Sequence, residues 1–369
     1  MKDTLGLIFA YQREELMKAL TQKRALSSIP FGGRYRIVDF ALSNMVNSGI
    51  TKVGVITRNS YQSLMDHLGS GKEWDLNRKN DGLYLLPPFN QSEGYRGKME
   101  ALLNANDFIR KSNCEYVVLA TADNICNMTF DEALEYHKAK EADITIIYKN
   151  GQFERQDENE DSTFITTNED GRVVDVAVNP IVGRENLSMG TIIIGKALLE
   201  TLIRECASHN MYSFHRDVLQ KRVNDLKIYG YEYSGFYAKI DSIASYFEAN
   251  MDLLNEDICE ALFYQNEQIF TKIRDEVPTL YQNGASVKNS LVADGCVIEG
   301  EVENCIIGRG VTISKGCKIK DSIILPETFV GEDTVIKHAV VDKKVIIQNV
   351  KQIVGNDERL VYIKRRDRI

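Results

Sequence analysis

Reactive and charged side chains are unevenly spread along this sequence. Its last eleven positions hold Arg359, Lys364, Arg365, Arg366 and Arg368 against one acid, Asp367. Arginine forks match phosphate oxygens, so Arg359, Arg365 and Arg366 are candidates for an anion site that takes a phosphorylated effector. The same composition also suits a solvated tail. The five histidines, His67, His137, His209, His215 and His338, have neither metal-ligand spacing nor a partner for a catalytic pair. The seven cysteines are odd in number and form no C-x-x-C pair. That argues against a disulfide framework and a cysteine-based zinc site, and leaves reduced thiols in small core positions. Trp74 and Tyr61 read as packing groups rather than stacking platforms.

The chain that carries these groups has 369 residues, 43% apolar and 27% charged, with a net charge of −8. It is globular in balance and long enough for roughly two to three domains. An acidic chain binds nucleic acid only through a local basic patch, so no nucleic-acid partner is expected. No uncharged apolar run of about 18 residues is present, and Met1-Lys2-Asp3-Thr4 leads into an apolar strand rather than a signal peptide. No membrane span is expected, and the cytoplasm is the expected place.

The first ~250 residues alternate short apolar runs with helical patterns. Leu5–Phe9, Lys52–Thr57, Tyr116–Thr121 and Ile144–Tyr148 read as strands buried on both faces. Arg36–Ser48, Ser60–Leu68, Lys98–Lys111 and Phe130–Lys138 read as helices. That order predicts an α/β, doubly wound parallel sheet covered on both sides. Such sheets bind ligands beyond the carboxyl ends of their strands, which singles out the loops after Phe9, Thr57 and Thr121.

Ser242–Leu254 reads as one further helix, and the polar stretch 255–283 as a linker between residues 1–254 and 284–369. Beyond it a period of six takes over. Cys305, Val311, Cys317 and Ile323 form one set, and Ile307, Ile313 and Ile319 another, with Gly308, Gly310, Gly316 and Gly331 between. Two interleaved sets at that spacing predict a left-handed parallel β-helix, each coil burying its apolar edge on the next. Acyltransferases built on such coils generally use a histidine. His338 is the only one after His215, so a structural or assembly role is the stronger reading.

Ile29-Pro30-Phe31-Gly32-Gly33-Arg34-Tyr35-Arg36-Ile37-Val38-Asp39-Phe40, followed by Leu42-Ser43-Asn44 and Asn47-Ser48-Gly49, resembles the sugar-nucleotide pyrophosphorylases, and more narrowly bacterial glucose-1-phosphate adenylyltransferase. Trp74-Asp75-Leu76, Tyr95-Arg96-Gly97, Ser188-Met189-Gly190 and Glu248-Ala249-Asn250 fall in that family's order, and so does the hexapeptide coil. The resemblance implies attack of the phosphate of glucose 1-phosphate on the α-phosphorus of ATP. That chemistry needs a glycine-rich loop, cations on the phosphates and Mg²⁺ held by carboxylates.

Set against the family's motifs, the chain lacks most of these parts. Where a G-G-x-G-x-R-L turn belongs, it reads Tyr11-Gln12-Arg13-Glu14-Glu15-Leu16. Asp123 matches one metal aspartate, but the second is replaced by Lys239, with Asp241 two residues on as a displaced ligand. The glutamate and lysine of an E-K-P element fall on Ala177-Val178-Asn179. Tyr95, Gly97, Ser188, Gly190 and Phe214 survive as substrate-site candidates, with Asp217 beside them. Each lost donor or cation typically costs about 2.7–4 kcal/mol, and even two full losses leave activity about 10⁴-fold down.

The resemblance is strongest to the family's divergent regulatory branch from Gram-positive bacteria. It implies a non-catalytic or weakly catalytic subunit in a hetero-oligomer, a tetramer, with a catalytic partner chain and a sugar-phosphate effector. The rival is a working enzyme that uses Asp123 and Asp241 for Mg²⁺ and Arg13 or Arg24 for phosphate. A third reading is a sugar-phosphate sensor without a partner.

Overall fold

The computed structural model describes residues 1, 3–11, 17–58, 60–88, 94–153, 162–182, 184–356 and 359–369. Among them the amino-terminal half holds a nine-stranded sheet. At its centre Thr4–Phe9 lies parallel to both Lys52–Ile56 and Tyr116–Thr121. Leu7, Ile8, Val53, Val55, Val117 and Val118 are fully buried, as expected of strands covered on both faces. Helices Ile37–Asn47, Gln62–Leu68 and Asp131–Ala139 match the expected segments within a few residues.

Three features depart from the sequence expectation. The sheet is mixed: the long strand Arg184–Gly195 runs antiparallel to Tyr116–Thr121 and to Ile144–Phe153. An antiparallel pair needs no crossover helix, so the strand–helix alternation does not reveal it. The segment expected as one helix over Lys98–Lys111 is two, Lys98–Asn104 and Asn106–Arg110, meeting at Ala105. The stretch 255–283 is more than a polar connector. It carries helix Glu256–Phe263, capped by the Asn255 side chain, and it buries Leu262 and Ile269 completely or nearly so.

The carboxyl-terminal domain is a left-handed parallel β-helix. Val302, Ile319, Ile336 and Ile353 stack in register from coil to coil, each almost fully buried. Six of the seven residues point inward: Cys305, Val311 and Cys317 are 0% exposed, and Ile307, Ile313 and Ile319 at most 2%. Ile323 breaks the first set: Ser322 stands in register with Cys305, and Ile323, in register with Ile306, is buried outside the coil. The last residues are not a solvated tail. Val361–Ile363 pairs in parallel with Ala339–Val341 and closes the coil.

The two halves share one apolar core, where Ile306, Ile323 and Val340 of the β-helix meet Phe31, Phe40 and Tyr246. The Gly32-Gly33 turn serves this seam. Both residues have positive φ (56° and 78°), and a Cβ on Gly33 would stand 3.2 Å from the Ile307 carbonyl oxygen. Phe247 packs its ring on His338 at 4.9 Å, which gives that histidine a packing role.

Candidate functional site

Among the described residues, the protein's own side chains pack into the crevice beyond the central strand. The Ala10 N–H donates to the Ile56 carbonyl, and the Ala10 carbonyl accepts from the Ser27 hydroxyl. Tyr11 turns inward, 8% exposed, its ring 5.3 Å from Tyr95 and 5.2 Å from the Arg58 guanidinium. Burial pushes both phenols up, Tyr95 to about 12. A glycine-rich turn would offer backbone amides here; the chain offers two packed aromatic rings capped by an arginine. Arg13, Glu14, Glu15 and Leu16 lie outside the described residues.

A few ångströms of chain away, strand Tyr116–Thr121 delivers Asp123 and Asn124 to a small polar pocket. Its lining includes Lys98, Ser188, Gly190, His215, Tyr237 and Lys239. The free volume is about 30 Å³. That is room for about one water, against roughly 300–1,000 Å³ for ordinary ligand sites. Hydrogen bonds tie its lining residues together. Asn124 Nδ2 donates to Thr121 Oγ1 and to the Met189 carbonyl, and its Oδ1 accepts from the Tyr237 hydroxyl at 3.1 Å. Lys98 Nζ lies 2.9 Å from His215 Nε2, and Lys239 Nζ lies 3.1 Å from Ser162 Oγ. Burial pushes the Asp123 carboxyl up, with the Lys239 charge and a Thr121 hydrogen bond acting against it.

The residues retained from the family pattern separate into two groups. Ser188 and Gly190 do line the pocket: Gly190 has φ +68°, and a Cβ on it would come within 2.7 Å of Thr121 Oγ1. Tyr95, Gly97 and Phe214 do not. Phe214 is 1% exposed in the core, and a Cβ on Gly97 would overlap the Tyr212 carbonyl. Asp217 accepts the Tyr212 and Ser213 amides and pairs with Lys221. Their positions are explained by packing and capping.

Mg²⁺ does not fit the groups present. Asp241 Oδ1 accepts from the Ser245 hydroxyl at the start of helix Ile243–Met251, and its Oδ2 faces the Lys239 ammonium at 3.5 Å. Among the described residues no cluster of three or more His, Cys, Asp or Glu side chains has metal-binding geometry. In this pocket Asp123 Oδ1, buried and without a hydrogen bond, is the oxygen open to a cation.

Arg24 is not a phosphate ligand of this crevice. It is 1% exposed, and its Nη2 lies 2.9 Å from both Asp342 carboxylate oxygens, across the seam between the domains. Arg24 Nε donates to the Leu20 carbonyl, while its Nη1 has no partner. The Tyr362 hydroxyl stands 2.8 Å from Asp342 Oδ2. Other cations gather around this pair. Burial, then Arg365, Arg24 and Arg36, hold the Lys343 amine down at about 8. Burial likewise lowers Arg36, to about 10, and Arg365, whose buried Nε makes no hydrogen bond. Arg366 acts on Arg365 from the exposed side. The Arg359 N–H donates to Asn356 Oδ1, and Arg359 is not among the groups acting on Lys343. Of the three tail arginines singled out by composition, the fold thus brings Arg365 and Arg366 to the seam. Lys343, Arg36 and Asp342 were missed; the Lys343-Lys344 pair was the one local hint.

Comparison with known proteins agrees with this architecture. A nucleotidyl transferase family model matches residues 16–256, and a GlmU-like C-terminal hexapeptide model matches 277–361. The chain is 35% identical to the glycogen biosynthesis protein GlgD of Bacillus subtilis, over 98% of this chain and 95% of that one. It is 33% identical to a glucose-1-phosphate adenylyltransferase of Bacillus cytotoxicus, over 94% of each. A homologous enzyme from Bacillus mycoides is 34% identical over 94% of this chain and 93% of its own. No helix among the described residues is long and apolar enough to cross a membrane. With a nucleotidyl transferase fold, a hexapeptide coil and relatives matched nearly end to end, the chain belongs to the glucose-1-phosphate adenylyltransferase family of nucleotidyl transferases.

Proposed function

We propose that this chain is a regulatory, non-catalytic or barely catalytic subunit that works in the cytoplasm on a catalytic glucose-1-phosphate adenylyltransferase in glycogen synthesis. The observation that carries the reading is the closed crevice. A pocket of about 30 Å³, with Lys239 set against the carboxylates, has no room for a sugar phosphate. Among the described residues, positive charge gathers instead at the seam, where Arg24, Arg36, Lys343 and Arg365 lie near one another around the buried Asp342. Buried cations with cationic neighbours gain most from a bound phosphate, and this supports the seam as the place where a sugar-phosphate effector would bind. A ligand between the domains can bias how they sit, and so pass its presence to a partner in a hetero-tetramer.

The test is to express the chain with a catalytic homologue, purify through a tag on this chain, and assay ADP-glucose formation over a range of sugar phosphates. Co-purification and a shifted effector response support the proposal. A chain that stays alone and leaves the homologue's response unchanged contradicts it, and one that also binds the sugar phosphate is a sensor without a partner.

A further inference from the structure

The Asp123 pocket poses a problem of charge that a packed interior has to solve. Asp123 is 6% exposed, the half-buried Asp241 acts on it as a like charge, and a buried carboxylate in that setting destabilises a fold unless a cation or a proton intervenes. The backbone fixes which group intervenes. Ala238–Lys239 pairs antiparallel with Asn124–Ile125, with Lys239 opposite Asn124, and the Ile240 N–H donates to the Asp123 carbonyl at 2.7 Å. The Lys239 side chain therefore starts one residue from Asp123 and ends 3.5 Å from Asp241 Oδ2.

We infer that the Lys239 ammonium is a built-in cation, set where a divalent metal ion would otherwise bridge Asp123 and Asp241, so that the chain takes no metal there and gains a metal site when the ammonium is removed. The donor set left behind is of the right kind. Asp123 Oδ1 is already without a hydrogen bond, and the Asp241 carboxylate, Ser162 Oγ and Thr121 Oγ1 are hard oxygen ligands of the sort Mg²⁺ and Mn²⁺ prefer. Truncating the lysine also opens the volume of its side chain, which gives an ion with its waters space that the present pocket lacks. A lysine brings one compact charge with three donors and no demand for octahedral geometry. It neutralises the carboxylates without creating an electrophilic centre. The inference concerns the isolated chain alone, and holds or fails whether or not the chain regulates a partner.

The experiment is Mn²⁺ titration of the full chain, followed by electron paramagnetic resonance of the free ion and by thermal melts with and without Mn²⁺. The wild-type chain is expected to show no stoichiometric site and an unchanged melting temperature. Lys239→Ser and Lys239→Asp are expected to bind one Mn²⁺ at least about tenfold more tightly, the worth of one charge-assisted contact. Their melting temperatures should rise with Mn²⁺, because a ligand of the native state alone stabilises it. Adding Asp123→Asn to Lys239→Ser should abolish the gained site. Equal Mn²⁺ binding by wild type and variants overturns the inference, as does a folded variant that takes no ion. It is also overturned if the gained site survives Asp123→Asn, or if neither variant folds even with Mn²⁺.

Discussion

Both the crevice and the seam bury charge, and they handle it in opposite ways. In the crevice most polar groups are answered locally: Lys239 by Asp241, Lys98 by the His215 ring, Asn124 by Tyr237 and Met189. At the seam, among the described residues, burial first and neighbouring cations second hold Lys343, Arg36 and Arg365 down. A site neutralised by its own side chains has nothing left to offer a phosphate, whereas a site with surplus positive charge is strained until one arrives. Within one scaffold, polar capacity has gone from the place of chemistry and is concentrated between the domains.

That contrast can be broken most forcibly at Asp342, the buried anion of the seam. Asp342→Ala strands Arg24 in a buried position, and breaking a buried pair in this way typically costs about 3–5 kcal/mol. Denaturant melts should show that loss. Asp123→Asn, which removes a carboxylate that burial already pushes toward its neutral form, should cost clearly less. Equal losses would erase the distinction. Gly190→Ala should follow at about 1–3 kcal/mol, because a positive φ and a clash with Thr121 both oppose the new methyl group. A Gly190 variant that melts like wild type would show that the glycine was kept for a ligand and not for packing.

A smaller effect sharpens the functional half of the comparison. Arg365→Ala should raise the sugar-phosphate concentration needed for half-maximal response of the mixed enzyme about tenfold, the loss of one charge-assisted phosphate contact. Arg359→Ala should leave it near the wild-type value, since Arg359 is not among the groups acting on Lys343.

The smallest effect is a pH dependence with a definite sign. Lys343 sits at about 8 in the fold against 10.5 for a free lysine. Between those values the unfolded chain holds a proton that the folded chain has released, so stability rises with pH across that window. Effector binding should weaken over the same window, because the ammonium that would meet the phosphate is lost. Lys343→Met should remove both trends, as melts and effector titrations from neutral pH upward would reveal.

Much of the fold was legible because it rests on local periodicity. The six-residue sets at Cys305–Ile323 and Ile307–Ile319 announce the coil, although Ile323 itself packs at the seam and not in the coil, and the apolar runs of the central strands announce the sheet. The Ser242–Leu254 segment was nearly right: Ile243–Met251 is helical, with a tighter turn over Asp252–Leu254. What stayed hidden depends on groups far apart in the chain. Arg24 meets Asp342 across 318 positions, and no local pattern shows that a basic residue near a phosphate loop belongs to the other domain. The degenerate motifs were visible as missing residues. What fills their place, Tyr11 on Tyr95 and Tyr237 on Asn124, is tertiary packing and had no signature in spacing. The helix at Glu256–Phe263 was masked by polar neighbours, although its Asn255 cap and buried Leu262 obey ordinary helix rules.

The direct test of the central claim is pyrophosphate release from ATP and glucose 1-phosphate by the purified chain on its own. The closed crevice predicts turnover at least about 10⁴-fold below that of a catalytic homologue under the same conditions, with or without Mg²⁺. Turnover by the solitary chain at a rate within reach of that homologue would contradict it.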